Sequence, residues 1–207
     1  MQLIKLSEIT LENLKNRILK DIIPEIYELE EIIENNRSHN NQPVFEHILS
    51  VLAALERLFK GVNQKNKNHL AEKIDSYSRK QLLFMATVLH DIGKKETMKK
   101  DGDTIKFPGH EEAGAKKLKT ILSRFDLSEK EKNIVVEIIR NHGFFHDLLD
   151  QGLNLNLNQK ISEFRKMNPD IFYEVVLLTI ADIQGGDLMK NNPEEFNFRV
   201  DSLSKII

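Results

Sequence analysis

Apolar residues recur every three or four positions along most of the chain, and no long alternating stretch interrupts them, so the pattern predicts helices. Thr10 stands where a cap belongs, ahead of a stripe at Leu11, Leu14, Ile18 and Ile22 that Pro24 kinks before Ile26, Leu29 and Ile33. This predicts an N-terminal helical extension over 10–35, followed by a polar loop, NNRSHNNQP, over 35–43. Val44, Ile48, Val51, Leu55 and Phe59 share one face of a second helix that stops near Gly61. Residues 62–78 are polar and read as a mobile loop, and a third helix follows from Arg79 to His90 with Gly93 placed to end it.

MKKDGDTIKF holds an Asp-Gly turn and predicts a small hairpin. Pro108 precedes a helix with its stripe at Gly114, Leu118, Ile121 and Phe125. Ser128 and Glu131 form a capping box opening a helix with Ile134, Val135, Ile138 and His142 on one side. NLNLN, 154–158, alternates but is too short and polar for a strand. Asn168-Pro169 starts a helix through Ile171, Val175, Leu178 and Asp182, ended by Gly185-Gly186. No repeat or low-complexity linker divides the chain. The expectation is one all-α domain, a helical bundle over 1–207 with a C-terminal tail at 187–207.

A length of 207 residues fits one well-filled core, and a net charge of −2 supplies no general field for nucleic acid. Cysteine is absent, which excludes disulfides and thiolate metal sites. The N-terminus lacks a signal-peptide pattern and no apolar run approaches the ~20 residues of a membrane span, so the expected location is the cytoplasm.

Polar groups now stand out on these helices. His47 lies beside the stripe of the second helix, and His90-Asp91 end the inner face of the third. His110 precedes Gly114 and Leu118, His142 follows Ile138 by one turn, and Asp182 follows Leu178 likewise. A lone inward histidine is ordinarily a satisfied core residue, and a lone buried carboxylate is costly. Six such groups on five helices point instead to a divalent cation, which neutralises the carboxylates and uses the imidazole lone pairs together.

The ordered set His47, His90-Asp91 in LHDIGK, His110 in GHEEAGA, His142 in IIRNHG and Asp182 in LLTIADIQG resembles the HD-domain phosphohydrolase superfamily. LHDIGK, FPGHEEAGAKKL and ADIQG are more narrowly similar to the HD domain that follows the nucleotidyltransferase head of bacterial CCA-adding enzymes, over about 44–186. The resemblance implies an all-helical metallohydrolase with His47, His90, Asp91 and Asp182 as metal ligands. His110 and His142 match positions that hold a second ion in binuclear members, with Asp91 bridging, or face the substrate phosphate in mononuclear ones. The head itself is missing from these residues, so CCA addition is not expected of them. The basic Lys94-Lys95 after the HD pair, with Glu96 the only nearby acid, disfavours guanosine tetraphosphate hydrolysis and departs from the 5′-nucleotidase pattern. The lack of Gly-Tyr-Pro disfavours cyclic-di-GMP cleavage.

The expected function is metal-dependent hydrolysis of a phosphomonoester or phosphodiester of a nucleotide, a 2′,3′-cyclic nucleotide or a related small phosphate. The rival readings are a non-catalytic metal-stabilised nucleotide sensor and an RNA- or protein-binding module. Suitable ions are iron, manganese, nickel, cobalt, zinc or magnesium, one or two of them. Asp91 would orient the attacking water and Lys94, just past the helix end, would neutralise substrate phosphate. Arg140 and His146 are weaker substrate contacts, the first resembling a solvated surface charge and the second a pocket-rim loop residue. His39 and His69 lie in polar loops and carry no expected role.

Overall fold

The computed structural model describes residues 3–102, 104–151 and 157–207. The N-terminal part departs from the predicted long helix. A short helix α1 (Leu11–Lys15) is capped by the Thr10 hydroxyl, which accepts from Asn13 N at 3.0 Å, but it stops because Arg17 takes a left-handed φ of 57°. The chain then turns and resumes only as α2 (Pro24–Tyr27) and a 3-10 turn, Glu28–Glu31. Leu14, Leu19, Ile23, Ile26 and Leu29 are buried, whereas Ile18 of the predicted stripe is 60% exposed. Leu14, Ile26 and Leu29 of the predicted stripe reach the core, and breaking the helix adds Leu19 and Ile23 in place of Ile18.

The predicted polar loop is a hairpin, β1 (Ile33–Asn36) against antiparallel β2 (His39–Pro43), with a register shift between Glu34 and Asn35. Its polarity hid it: Glu34 is the buried member of β1 and His39 of β2. The second predicted helix is α3 (Val44–Gly61), with Val44, Ile48, Val51 and Leu55 fully buried. Residues 62–78 are not a plain loop, since Asn63 caps α4 (Gln64–Ala71) through its side chain and Leu70 is buried. Ser78 and Gln81 form a capping box for α5 (Arg79–Leu89), an almost wholly buried helix, followed by α6 (Lys94–Thr97).

Gly93 does not end α5 through a left-handed cap; its φ is −88°. Its role is contact. A Cβ there would lie 2.1 Å from His110 O and 2.4 Å from Gly114 N, so two backbones cross at van der Waals range. The Asp-Gly turn does form a hairpin, β3 (Lys99–Asp101) with β4 (Thr104–Lys106), leading to α7 (His110–Ile121).

Helix α8 (Glu129–Asn141) carries the expected capping box, and α9 (Phe144–Asp150) follows it at once where the sequence suggested a loop. Most of NLNLN lies outside the described residues, and α10 (Leu157–Met167) begins within its end. The next helix is α11 (Phe172–Gly185), and the expected tail is helical: α12 (Leu188–Asn191) and α13 (Pro193–Ser204). Helices α3 and α11 pack most extensively, and α5, α7 and α8 close the other side of the core. Gly185 allows the first approach, since a Cβ would meet Val51 N at 2.7 Å. The fold is all-α with two small two-stranded hairpins, and among the described residues no helix is long and apolar enough to cross a membrane.

Candidate metal centre

The α3–α11 packing sets His47 Nε2 2.7 Å from Asp182 Oδ1. The end of α5 adds His90 and Asp91, both buried, the start of α7 adds His110, and the C-terminal end of α8 adds His142. Two groups result, His47–His90–Asp182 and Asp91–His110–His142; within each, the ligand atoms lie within 4.8 Å of one another. Asp91 joins them. Its Oδ2 is 3.2 Å from His90 Nε2 and 3.9 Å from His47 Nε2, while its Oδ1 is 3.6 Å from His110 Nε2 and 4.0 Å from His142 Nε2.

His90, His110 and His142 each set Nδ1 against the carbonyl three residues earlier: Thr87 O at 2.8 Å, Phe107 O at 3.0 Å and Ile139 O at 2.6 Å. Carbonyls in a last helical turn lack helical partners, which explains the acceptors in α5 and α8. A carbonyl only accepts, so each Nδ1 donates, and whenever the ring is neutral its lone pair is at Nε2. His110 Nε2 and His142 Nε2 then face each other at 3.1 Å, and the buried His90 Nε2 has no hydrogen bond. Inward lone pairs beside buried carboxylates are a donor set that fits divalent cations of the imidazole- and carboxylate-binding kind.

The charges are polarised accordingly. Burial opposes ionisation of Asp182, but the His146 and His47 imidazoles beside it hold it well below the usual carboxylate range. Burial likewise opposes charge on Asp91, and His90 and Lys94 overcome it. Burial would suppress the charge on His90, yet the Asp91 carboxylate raises its pKa to about 9. His142 goes the other way, to about 3, through burial and the neighbouring His110 and His90.

A cavity of about 580 Å³ opens over these groups. Lys94 reaches it, but its buried ammonium is engaged with Asp91 Oδ2 and Glu34 Oε1, both at 2.8 Å. His146 is on α9, not a loop, and its Nε2 lies 2.8 Å from Asp182 Oδ2. Arg140 does not line the cavity; it is exposed on α8 and pairs with Glu112 at 3.1 Å and with Glu137. Glu96 is also outside it, 2.7 Å from Lys117.

Sequence reasoning missed several lining or supporting residues, His39, Glu34, Arg37, Arg199 and Asp150 among them. His39, set aside as a loop histidine, is buried with its ring edge-on to His47 at 4.5 Å between centroids. Glu34 was hidden in a helical assignment. Arg37, from the hairpin turn, and Arg199, from α13, converge on Asp150 at the cavity mouth. The one available signal was that His39 precedes His47 within a strand-sized polar run. His69, also set aside, sits on α4 with Nε2 2.9 Å from the buried Glu174, remote from the cavity lining.

The HD domain family matches residues 44–183. The Multifunctional CCA protein of Legionella pneumophila (strain Paris) is 24% identical over 168 residues, covering 80% of this chain and 35% of that protein. Its namesake from Mannheimia succiniciproducens is 26% identical over 170 residues, covering 81% and 36%. The Bifunctional uridylyltransferase/uridylyl-removing enzyme of Azotobacter vinelandii is 30% identical over 140 residues, covering 66% and 14%. The chain thus spans about a third or less of the length of these relatives. With more than half of its residues matched and its histidines and aspartates gathered at one centre, the chain belongs to the HD domain family, within the metal-dependent phosphohydrolase superfamily.

Proposed function

We propose that the protein is a metal-dependent phosphohydrolase that cleaves a phosphomonoester or phosphodiester of a nucleotide, a 2′,3′-cyclic nucleotide or a related small phosphate. The observation that carries this reading is Asp91, one carboxylate with an oxygen toward each of two potential ligand triads on a cavity floor. The uridylyl-removing name of one relative is consistent with cleavage at a nucleotidyl phosphate. The same reading takes residues 1–207 as one unit, because the hairpin and α13 both reach the cavity.

Divalent cations bound here would supply a water acidified toward a pKa of ~7 and polarisation of a phosphoryl oxygen. His47, His90 and Asp182 would hold one ion, and Asp91, His110 and His142 would hold another. Asp91 would also orient the nucleophilic water, since its carboxylate lies between the two groups. His146, fixed on Asp182, stands on the substrate side and is placed to donate to a phosphate oxygen or leaving group. The cavity volume of about 580 Å³ suits a nucleotide-sized ligand. Iron, manganese, nickel, cobalt, zinc and magnesium are all chemically compatible.

Elemental analysis of the purified protein, followed by a phosphatase and phosphodiesterase substrate panel with each metal, tests the proposal. Stoichiometric metal and metal-dependent turnover are expected. Binding of nucleotide without turnover under any metal would leave a sensor, and neither metal nor nucleotide binding would remove the reading altogether.

A further inference from the structure

Glu34 lies ten residues before the family match begins, yet its side chain is built into the centre. It is the buried residue of β1, 3% exposed, and its Oε1 meets Lys94 Nζ at 2.8 Å. Lys94 Nζ is in turn 2.8 Å from Asp91 Oδ2. The second oxygen, Glu34 Oε2, makes no hydrogen bond and lies 3.7 Å from His39 Nε2.

A carboxylate–ammonium–carboxylate row in a low-dielectric interior costs desolvation, and a small hairpin has no packing need for it. Its placement has an electrostatic use. An ammonium bonded to Asp91 competes with a cation for the same lone pairs and repels it. A second carboxylate at the same 2.8 Å from Nζ shares that charge, so Asp91 is not the ammonium's sole counterion.

We infer that Glu34 is a positioning residue of the metal centre: by offsetting the Lys94 charge, it keeps Asp91 available as the carboxylate shared by divalent cations. The inference rests on the metal reading above and assigns the N-terminal hairpin a part in it. Glu34 itself touches neither ion nor substrate; it acts through Lys94.

The test is Mn²⁺ affinity, measured by equilibrium dialysis on the full chain, wild type against E34Q, K94Q and E34Q/K94Q, with circular dichroism to verify folding. E34Q leaves Asp91 as the counterion that the buried ammonium must rely on, and Mn²⁺ binding should weaken about tenfold or more. E34Q/K94Q removes both charges together and should return to within about threefold of wild type. A residue needed only to shape the hairpin would give no such recovery. Folded E34Q with wild-type affinity overturns the inference alone, as does a double variant as weak as E34Q. Should E34Q not fold, the double variant decides: joint recovery of fold and Mn²⁺ affinity supports the inference, and a folded double variant weakened more than about tenfold overturns it. A wild-type chain that binds no divalent metal overturns the metal reading, and this inference with it.

Discussion

His110 Nε2 and His142 Nε2 stand 3.1 Å apart although the carbonyls behind both rings make each nitrogen an acceptor. Two facing lone pairs need something positive between them. If that is a second cation, His142→Ala should lower metal stoichiometry toward one and reduce turnover by roughly 100-fold, a loss typical of removing one group from a preorganised site. A stoichiometry of one in both proteins with weakened substrate affinity would make the histidines phosphate contacts. Unchanged metal content, turnover and affinity would make His142 a packing residue.

Asp91→Asn keeps shape and removes charge. Hydrolysis should fall at least ~100-fold with helical circular dichroism intact, because the carboxylate lying between the two ligand groups is gone. Native turnover in a folded variant would remove Asp91 from the mechanism.

Metal uptake should rise with pH. His90, raised to about 9 by Asp91 against burial, carries an extra proton in the metal-free chain at neutral pH. A cation must displace that proton, so apparent affinity should climb up to about tenfold per pH unit until about 9. In the metal-free chain the same shift contributes stability that is fully present below the ordinary 6.5 and lost as pH rises through about 9. His142, lowered to about 3, acts oppositely, costing stability as pH falls from 6.5 toward that value. Calorimetry in buffers of different ionisation enthalpy counts the released protons; zero release would remove His90 as a proton-displacing ligand.

Gly93→Ala is a test of backbone proximity. A methyl 2.1 Å from His110 O and 2.4 Å from Gly114 N meets main chain, which cannot swing away as a side chain does. Overpacking of this kind costs about 1–3 kcal/mol, so urea melts should show that loss. Because the displaced atom belongs to His110, metal occupancy should fall with stability. A variant as stable and as metal-replete as wild type would contradict the close crossing of α6 and α7.

Arg140→Ala should leave kcat/KM within about twofold, since exposed ion pairs such as those to Glu112 and Glu137 contribute little. A large KM increase would return Arg140 to the substrate site.

Much of this was legible in the sequence for a physical reason. Helices α3, α5, α8 and α11 bury continuous stripes, so the period of Ile48, Val51 and Leu55, or of Ile134 and Ile138, survives in the order of residues. The ligand candidates were legible because polar groups interrupt those stripes. The first 40 residues were not, because Ile18 and Ile22 complete a helical period that Arg17, in a left-handed conformation, breaks. Glu34 and His39 escaped because their strands are mostly polar, and each is buried with a polar partner, Lys94 for Glu34 and Gln42 for His39, which leaves no hydrophobic period. Arg37 and Arg199 meet across more than 160 positions through Asp150, a proximity that spacing along the chain does not encode.

That last meeting has a consequence for access. Arg37 pairs with Asp150 and, at 3.2 Å, with Glu195, while Arg199 pairs with the same two acids. The hairpin, α9 and α13 are therefore fastened over the opening by four charged side chains. Arg37 and Asp150 are about half exposed, so mobile ions reach this fastening far more easily than they reach Asp91 below it. The entrance thus behaves as an ionic latch set above a salt-insulated floor.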